Sequence, residues 1–366
     1  MRILGFMITL AALLVALPAF AADDWGLKPG TVELKSAGNL AFGPDGILFI
    51  GDSKGASIVA IATGDTKGDP AKAEFNVEGV ADKIAAKLGG SASDMTVGDI
   101  AVNPKTGNLF LAVNRKSGGP AIVKIASGGE ISEVSLKDIP TSSTQLANAP
   151  EDKQTGEGPR ARNLRNDTIT DLHFINGKVL VSGMSAGTAP TTVREISFPF
   201  AQSDPGTNLE IYHGAHGKTE TNSQIRTFVP FTINGEPSLL AGFVCTPLVK
   251  FSLKSLKPGD KAKGTTVAEL GNMNRPLDMI VYEKDGKTFL LLANSARGVM
   301  KISTADIEKN EGITAPVRGG TGTAGQPFET IKDLTGVVQL DKLNDKQAVV
   351  VVQKNSGMDL KTIALP

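Results

Sequence analysis

The chain predicts an all-β fold, a six-bladed β-propeller, and three observations carry that expectation. A phrase of short apolar run, Gly-centred turn and second apolar run recurs six times. Its copies are spaced at 60, 72, 57, 50 and 57 residues, measured between Phe42, Val102, Phe174, Phe231, Val281 and Val338. The composition is rich in Gly (41) and poor in aromatics (5%), as many short strands joined by tight turns require. A period of this length built from strands and turns belongs to propeller blades.

The elements follow in order. Residues 1–21 read as a secretory signal: Arg2, an apolar Ile8–Leu17 centre, and a small-x-small site at Ala19-Phe20-Ala21 with the cut after Ala21. The apolar stretch is short for a membrane span, so no membrane insertion is expected after cleavage. The mature chain, 22–366, is then one propeller domain in the periplasm or outside the cell. In the first blade Leu40–Phe42 forms the inner strand, Ile47–Gly51 the second, Ser57–Ala62 the third and Ala73–Val77 the outer one. The last repeat lacks an outer strand after Leu365, and Thr31–Lys35 precedes the first blade without a partner. The expected closure therefore places Thr31–Lys35 in the last blade, which leaves no open edge. Val80–Gly90 reads as a short amphipathic helix ending at a Gly pair. The segment TADIEKN, from Thr304, reads as helix-like. Gln145–Asn166 is a polar loop that accounts for the longest interval.

Charge narrows the partners. Removing the signal leaves 37 basic against 38 acidic residues, 38 less Arg2 against an unchanged 38. A neutral chain of this kind offers no strongly basic face for nucleic acid. Cys245 is the only cysteine, so no intramolecular disulfide forms and no CxxCH haem site exists.

Three polar groups fall on the propeller face that carries the second-to-third strand loops. Asn39, Asp99, Asp171 and Asp278 stand at equivalent entries of four inner strands, with Phe228 and Thr335 at the other two. Oxygen ligands around one axis suit a hard divalent cation, calcium or similar. They equally suit hydrogen bonds to backbone amides of their own or the next turn. His213, His216 and Glu220 share one Gly-rich loop and are candidates for acid–base catalysis or transition-metal binding. Structural hydrogen bonding within the turn is the other reading of that loop. Cys245 lies in a neighbouring loop, as a third soft ligand, a nucleophile or a small buried hydrophobe. His173, in an inner strand, reads as a packed core residue. Arg160, Arg162, Arg165, Arg275 and Arg297 form a basic group suited to an anion, or to ion pairs with the interleaved acids.

The phrase Asn39-Leu-Ala-Phe-Gly-Pro-Asp-Gly46, followed by Gly51-Asp52, resembles the NHL-repeat and gluconolactonase-like six-bladed propellers. The gluconolactonase resemblance implies one divalent cation in the channel, with Asp278 matching a late Asp ligand and Asp171 or Asn166 a middle one. Asn39 stands where those enzymes carry a Glu. The NHL resemblance implies binding of proteins or small ligands. Two functions therefore enter as expectations. The first is a propeller that binds a small molecule or an envelope protein on its polar loop face. The second is a metal-dependent lactonase or esterase with a His213- or His216-type base. Whether the protein is an enzyme stays open at this point, as does a role as an accessory subunit of a redox or envelope complex.

Overall fold

The computed structural model describes residues 25–158, 161–319, 321–355 and 357–366. The signal segment at 1–21 and Arg160 lie outside the described residues. Six sheets surround a central channel, each built from an inner, a second, a third and an outer strand paired antiparallel. No helix among the described residues is long and apolar enough to cross a membrane.

Blades are numbered here by the order in which their inner strands occur in the chain. Blade 1 opens with Leu40–Phe42, blade 2 with Met95–Val102 and blade 3 with Asp171–Ile175. Blades 4, 5 and 6 open with Ile225–Ile233, Pro276–Lys284 and Val337–Lys342. Alternate residues of a strand point to opposite faces, so each blade feeds two apolar seams. In the second strand of blade 1, Leu48 and Ile50 pack with Ala101 and Phe110 of blade 2. Ile47 and Phe49, one step out of phase, pack with Leu172 and Val181 of blade 3. The remaining seams join blade 3 to 4, 4 to 5, 5 to 6, and 6 to 2. The ring order is thus 1-3-4-5-6-2, and blade 2 sits between blades 6 and 1.

This order changes the closure expected from sequence. Asn76–Val77, read as the outer strand of blade 1, pairs instead with the last strand of blade 6: Val77 faces Leu360 and Asn76 faces Lys361. The outer strand of blade 1 is Ile139–Gln145, which returns after blade 2 is complete and pairs with Ser57–Ala62. Lys28–Gly30 adds a fifth strand outside it. Thr31–Lys35 is not in the last blade. The Val32 N–H donates to the Leu136 carbonyl at 2.8 Å, and the Lys35 N–H to Asp52 Oδ2 at 2.8 Å. The physical reason is proximity. Blade 2 occupies the place beside blade 6, so the strand leading into blade 2 reaches the open edge, whereas the N-terminal segment is held at the seam of blades 1 and 2, where Val32 and Leu34 pack.

The crossing segment between blade 1 and that edge is pinned by Asp65. Its carboxylate accepts from Lys124 Nζ at 2.6 Å, Thr106 Oγ1 at 2.6 Å, Asn108 Nδ2 at 2.8 Å and Asn103 Nδ2 at 2.9 Å. Burial pushes this acid up, but the Lys124 ammonium and the hydroxyl and amide donors outweigh it and hold it below its ordinary value. Val80–Leu88 is a helix as expected, closed by Gly89 in the left-handed region (φ 73°) with its N–H on the Ala85 carbonyl. The TADIEKN segment forms turns rather than a helix.

Candidate functional site

The polar ring expected around one channel mouth exists, but its membership differs from the sequence alignment. The inner strands of blades 2, 4, 5 and 6 each carry a β-bulge near their start, between Val97 and Asp99, Ile225 and Thr227, Pro276 and Asp278, and Val337 and Gln339. The extra residue shifts which side chain faces the axis. Blade 4 therefore presents Thr227 rather than Phe228, and blade 6 presents Gln339 rather than Thr335. Each blade contributes one residue to the ring: Asn39, Asp99, Asp171, Thr227, Asp278 and Gln339 all line one cavity of about 340 Å³. Opposite five of them the second strand carries a small residue, as with Ala112 facing Asp99, Ser182 facing Asp171 and Ala293 facing Asp278. Those small residues leave room for the neighbouring blade to approach.

The carboxylates also tie the blades together. Asp99 Oδ2 accepts from the Leu40 N–H of blade 1, Asp171 Oδ2 from the Phe228 N–H of blade 4, and Asp278 Oδ2 from the Leu340 N–H of blade 6, each at 2.8 Å. A fourth acid, Asp341, closes the pattern by accepting from the Val102 N–H of blade 2 at 2.7 Å. The Gln339 amide, oriented by its acceptors, donates to Asp99 Oδ1 at 3.0 Å and Asp278 Oδ2 at 2.9 Å. Asp171 and Asp278 each use Oδ1 for the following residue's N–H, at 2.8 Å.

Four acids converging on one channel repel one another. Burial, followed by the Asp171 charge, pushes Asp99 well above the carboxylate range; burial followed by Asp99 does the same to Asp278. Burial raises Asp171, against the pull of His173, and raises Asp341 to about 6. His173 is not sealed in the core. It stands in the opposite mouth, a cavity of about 270 Å³, with Nε2 3.8 Å from Asp171 Oδ2 and its ring 4.9 Å from Phe228.

The histidine loop forms a separate site. His213 ends the outer strand of blade 3, and a tight turn returns the chain along Lys218–Glu220. Glu220 accepts from both rings, from His213 Nδ1 at 3.0 Å and His216 Nδ1 at 2.7 Å. The two rings lie 3.8 Å apart between centroids, and Cys245 of blade 4 approaches them. None of these residues lines either channel cavity. Close by, Glu269 is buried, accepts from the Gly214 N–H at 2.5 Å and is raised to about 7 by burial.

The described arginines Arg162, Arg165, Arg275 and Arg297 line neither channel cavity. Arg165 Nε donates to the Pro150 carbonyl at 2.6 Å and Arg297 Nη2 to the Thr321 carbonyl at 3.0 Å. Arg162 pairs through its backbone with Thr155, and Arg275 is exposed. The bases at the mouth cavity are instead Lys54 and Arg226, the latter 3.8 Å from Asp167. Arg226 falls inside a bulged strand and carries no sequence signal.

No known family profile matches the chain, and no curated protein matches it. Among solved structures it is similar to the PQQ-bound form of an aldose sugar dehydrogenase from Streptomyces coelicolor, at 11% identity over 92% of this chain and 96% of that one, TM-score 0.35. A putative oxidoreductase (glucose dehydrogenase) from Thermus thermophilus aligns at 13% identity over 92% and 99%, TM-score 0.35. A streptogramin B lyase aligns at 9% identity over 93% and 99%, TM-score 0.33.

Proposed function

We propose that the protein is a binding module that takes a small polar solute into the mouth cavity. The observation that carries this reading is the ring of six polar side chains, one per blade, flooring an open space of about 340 Å³. That volume lies in the range of small-molecule sites. The lining is polar, with four Asp against Lys54 and Arg226, so it favours a ligand rich in hydrogen-bond donors over an apolar or anionic one. Thr227 Oγ1 is buried without a well-oriented partner, and such a group seeks a ligand. A divalent cation is a second occupant of the same chemistry, because carboxylate oxygens engaged by one N–H retain a lone pair. The lactonase or esterase reading has less support, because the bases assigned to it, His213 and His216, line neither channel cavity. The signal-like N-terminus supports a periplasmic or secreted location for this binder.

Calorimetric titration with polyols, small amines and calcium tests the reading. Saturable binding of one of them, weakened at least about tenfold by Asn39→Ala or Thr227→Val, is the expected result. Binding indifferent to both variants, or none across the panel, would overturn it.

A further inference from the structure

We propose that His213, His216 and Cys245 bind a single transition-metal ion of the zinc or copper class, at the rim between blades 3 and 4. One donor atom from each of the three lies within 4.8 Å of the other two. That spread suits a common ion and is wider than a set of hydrogen bonds. Glu220 explains why the donors are available. It engages both Nδ1 atoms, so each ring carries its proton toward the carboxylate and leaves Nε2 as the lone pair. A carboxylate holding the far nitrogen of a ligating imidazole is the arrangement that orients such ligands and raises their basicity.

The second, independent observation is His213 itself. Its side chain is wholly buried, and Nε2 makes no well-aligned hydrogen bond, with the Cys245 backbone close enough to act on the ring. A structural histidine in a Gly-rich turn would spend both nitrogens in good geometry; this one spends only Nδ1 so. Cys245 is presented by a loop in an uncommon conformation, with Cys245 at φ 66° and Thr246 at φ 81°. Residues other than Gly rarely occupy that region, and they do so where surroundings over-determine them. The Cys245 N–H donates to the Asn274 carbonyl at 3.2 Å and the Thr246 N–H to Phe243 at 3.0 Å, fixing the loop. Two imidazoles and one thiolate form a borderline-soft set, which selects zinc or copper over calcium or magnesium. His216 is 45% exposed at its side chain, so an ion enters from solvent and keeps one position open.

The test uses the full-length protein stripped by chelator and titrated with zinc, and separately with cobalt(II) as a coloured probe. One equivalent of zinc should bind, and cobalt should give a thiolate-to-metal charge-transfer band. Cys245→Ser should abolish that band, and His216→Ala should weaken zinc by more than about tenfold. Both positions are accessible enough to leave the fold intact, unlike His213. Cys245 should also react slowly with a thiol reagent when zinc is present and quickly after chelation. Zinc bound equally by both variants, or a thiol whose reactivity ignores zinc, would overturn the proposal. Asn39→Ala should leave zinc binding unchanged, which separates this site from the channel mouth.

Discussion

Blades 3 to 6 follow one another around the ring in chain order, while blades 1 and 2 are interleaved. Blades 3, 4 and 5 each form their own four strands before the next blade begins, and blades 3 and 4 later gain the edge strands Lys261–Lys263 and Thr323–Gly325. Blade 1 waits for its outer strand until blade 2 is finished, and blade 6 borrows Asn76–Val77 from a segment more than half the chain away. The difference shows that repeat identity and ring position are set by different interactions. Alternating apolar residues make a blade, whereas the pairing of seam faces decides which blade stands beside which.

The largest expected effect tests whether the crossing segment holds the ring as firmly as a sequential seam does. Phe75 is 2% exposed and packs with Leu360 and Val351 of blade 6 and Ile100 of blade 2; Phe251 is also 2% exposed, in the seam of blades 3 and 4. Phe75→Ala should cost about 3–5 kcal/mol in urea unfolding, matching Phe251→Ala. A loss several-fold smaller for Phe75 would mean that the interleaved edge is ornamental.

That contrast also accounts for what the sequence disclosed. The six doublets were readable because alternation is local, and the inner, second and third strands of the first blade fell at their expected places. The exchange of Asn76–Val77 to blade 6 was not, since two residues carry no mark of their partner and Thr31–Lys35 has equal β character. At the channel, Asp99, Asp171 and Asp278 were found because an Asp before an apolar run stands out. Thr227 and Gln339 were missed because bulges at Ile225/Thr227 and Val337/Gln339 displace the facing residue by a step that no spacing rule reveals. Asp341 was missed because it sits late in its strand, where it reads as a polar outward residue. The histidine loop was legible from composition alone, but its separation from the channel depends on the third dimension.

Asp65 offers a sharper cut between the two halves, because it clamps the crossing segment and has no counterpart among the sequential blades. Asp65→Ala leaves the amides of Asn103 and Asn108 and the Lys124 ammonium without their acceptor. A loss of about 1–3 kcal/mol is expected by chemical denaturation. The acid is held below its ordinary value when folded, so its contribution is complete above about pH 4 and fades as pH falls through the folded value. The variant's acid limb should therefore be flatter than the wild type's, and parallel limbs would acquit the clamp.

Asp341 carries the opposite sign. Its folded value is raised to about 6, so between about pH 4 and 6 the folded state holds a proton that the unfolded chain has released. Stability should decline as pH rises across that window and level off above it. Asp341→Asn cannot ionise, and its thermal midpoint should fall less steeply over the same range, although Asp99, Asp171 and Asp278 still contribute. An unchanged slope would show that the collar exchanges no proton on folding through this residue. The interleaved clamp would then lose strength in acid while the channel collar gains it, and one pH series separates the two regions.

The smallest effect belongs to the outlying arginines. Arg275 is exposed, and Arg297 spends its guanidinium on the Thr321 carbonyl; neither lines a channel cavity. Exposed substitutions away from buried features usually stay within about 0.5 kcal/mol. Arg275→Ala combined with Arg297→Ala should shift the urea midpoint by no more than that, with the affinity of any mouth ligand unchanged. Arg226→Ala should behave differently, because Arg226 lines the mouth and stands opposite Asp167. If the distant pair altered ligand affinity as much as Arg226 did, the binding surface would extend across the rim of blade 5. The ring of six polar residues would then be only its inner edge.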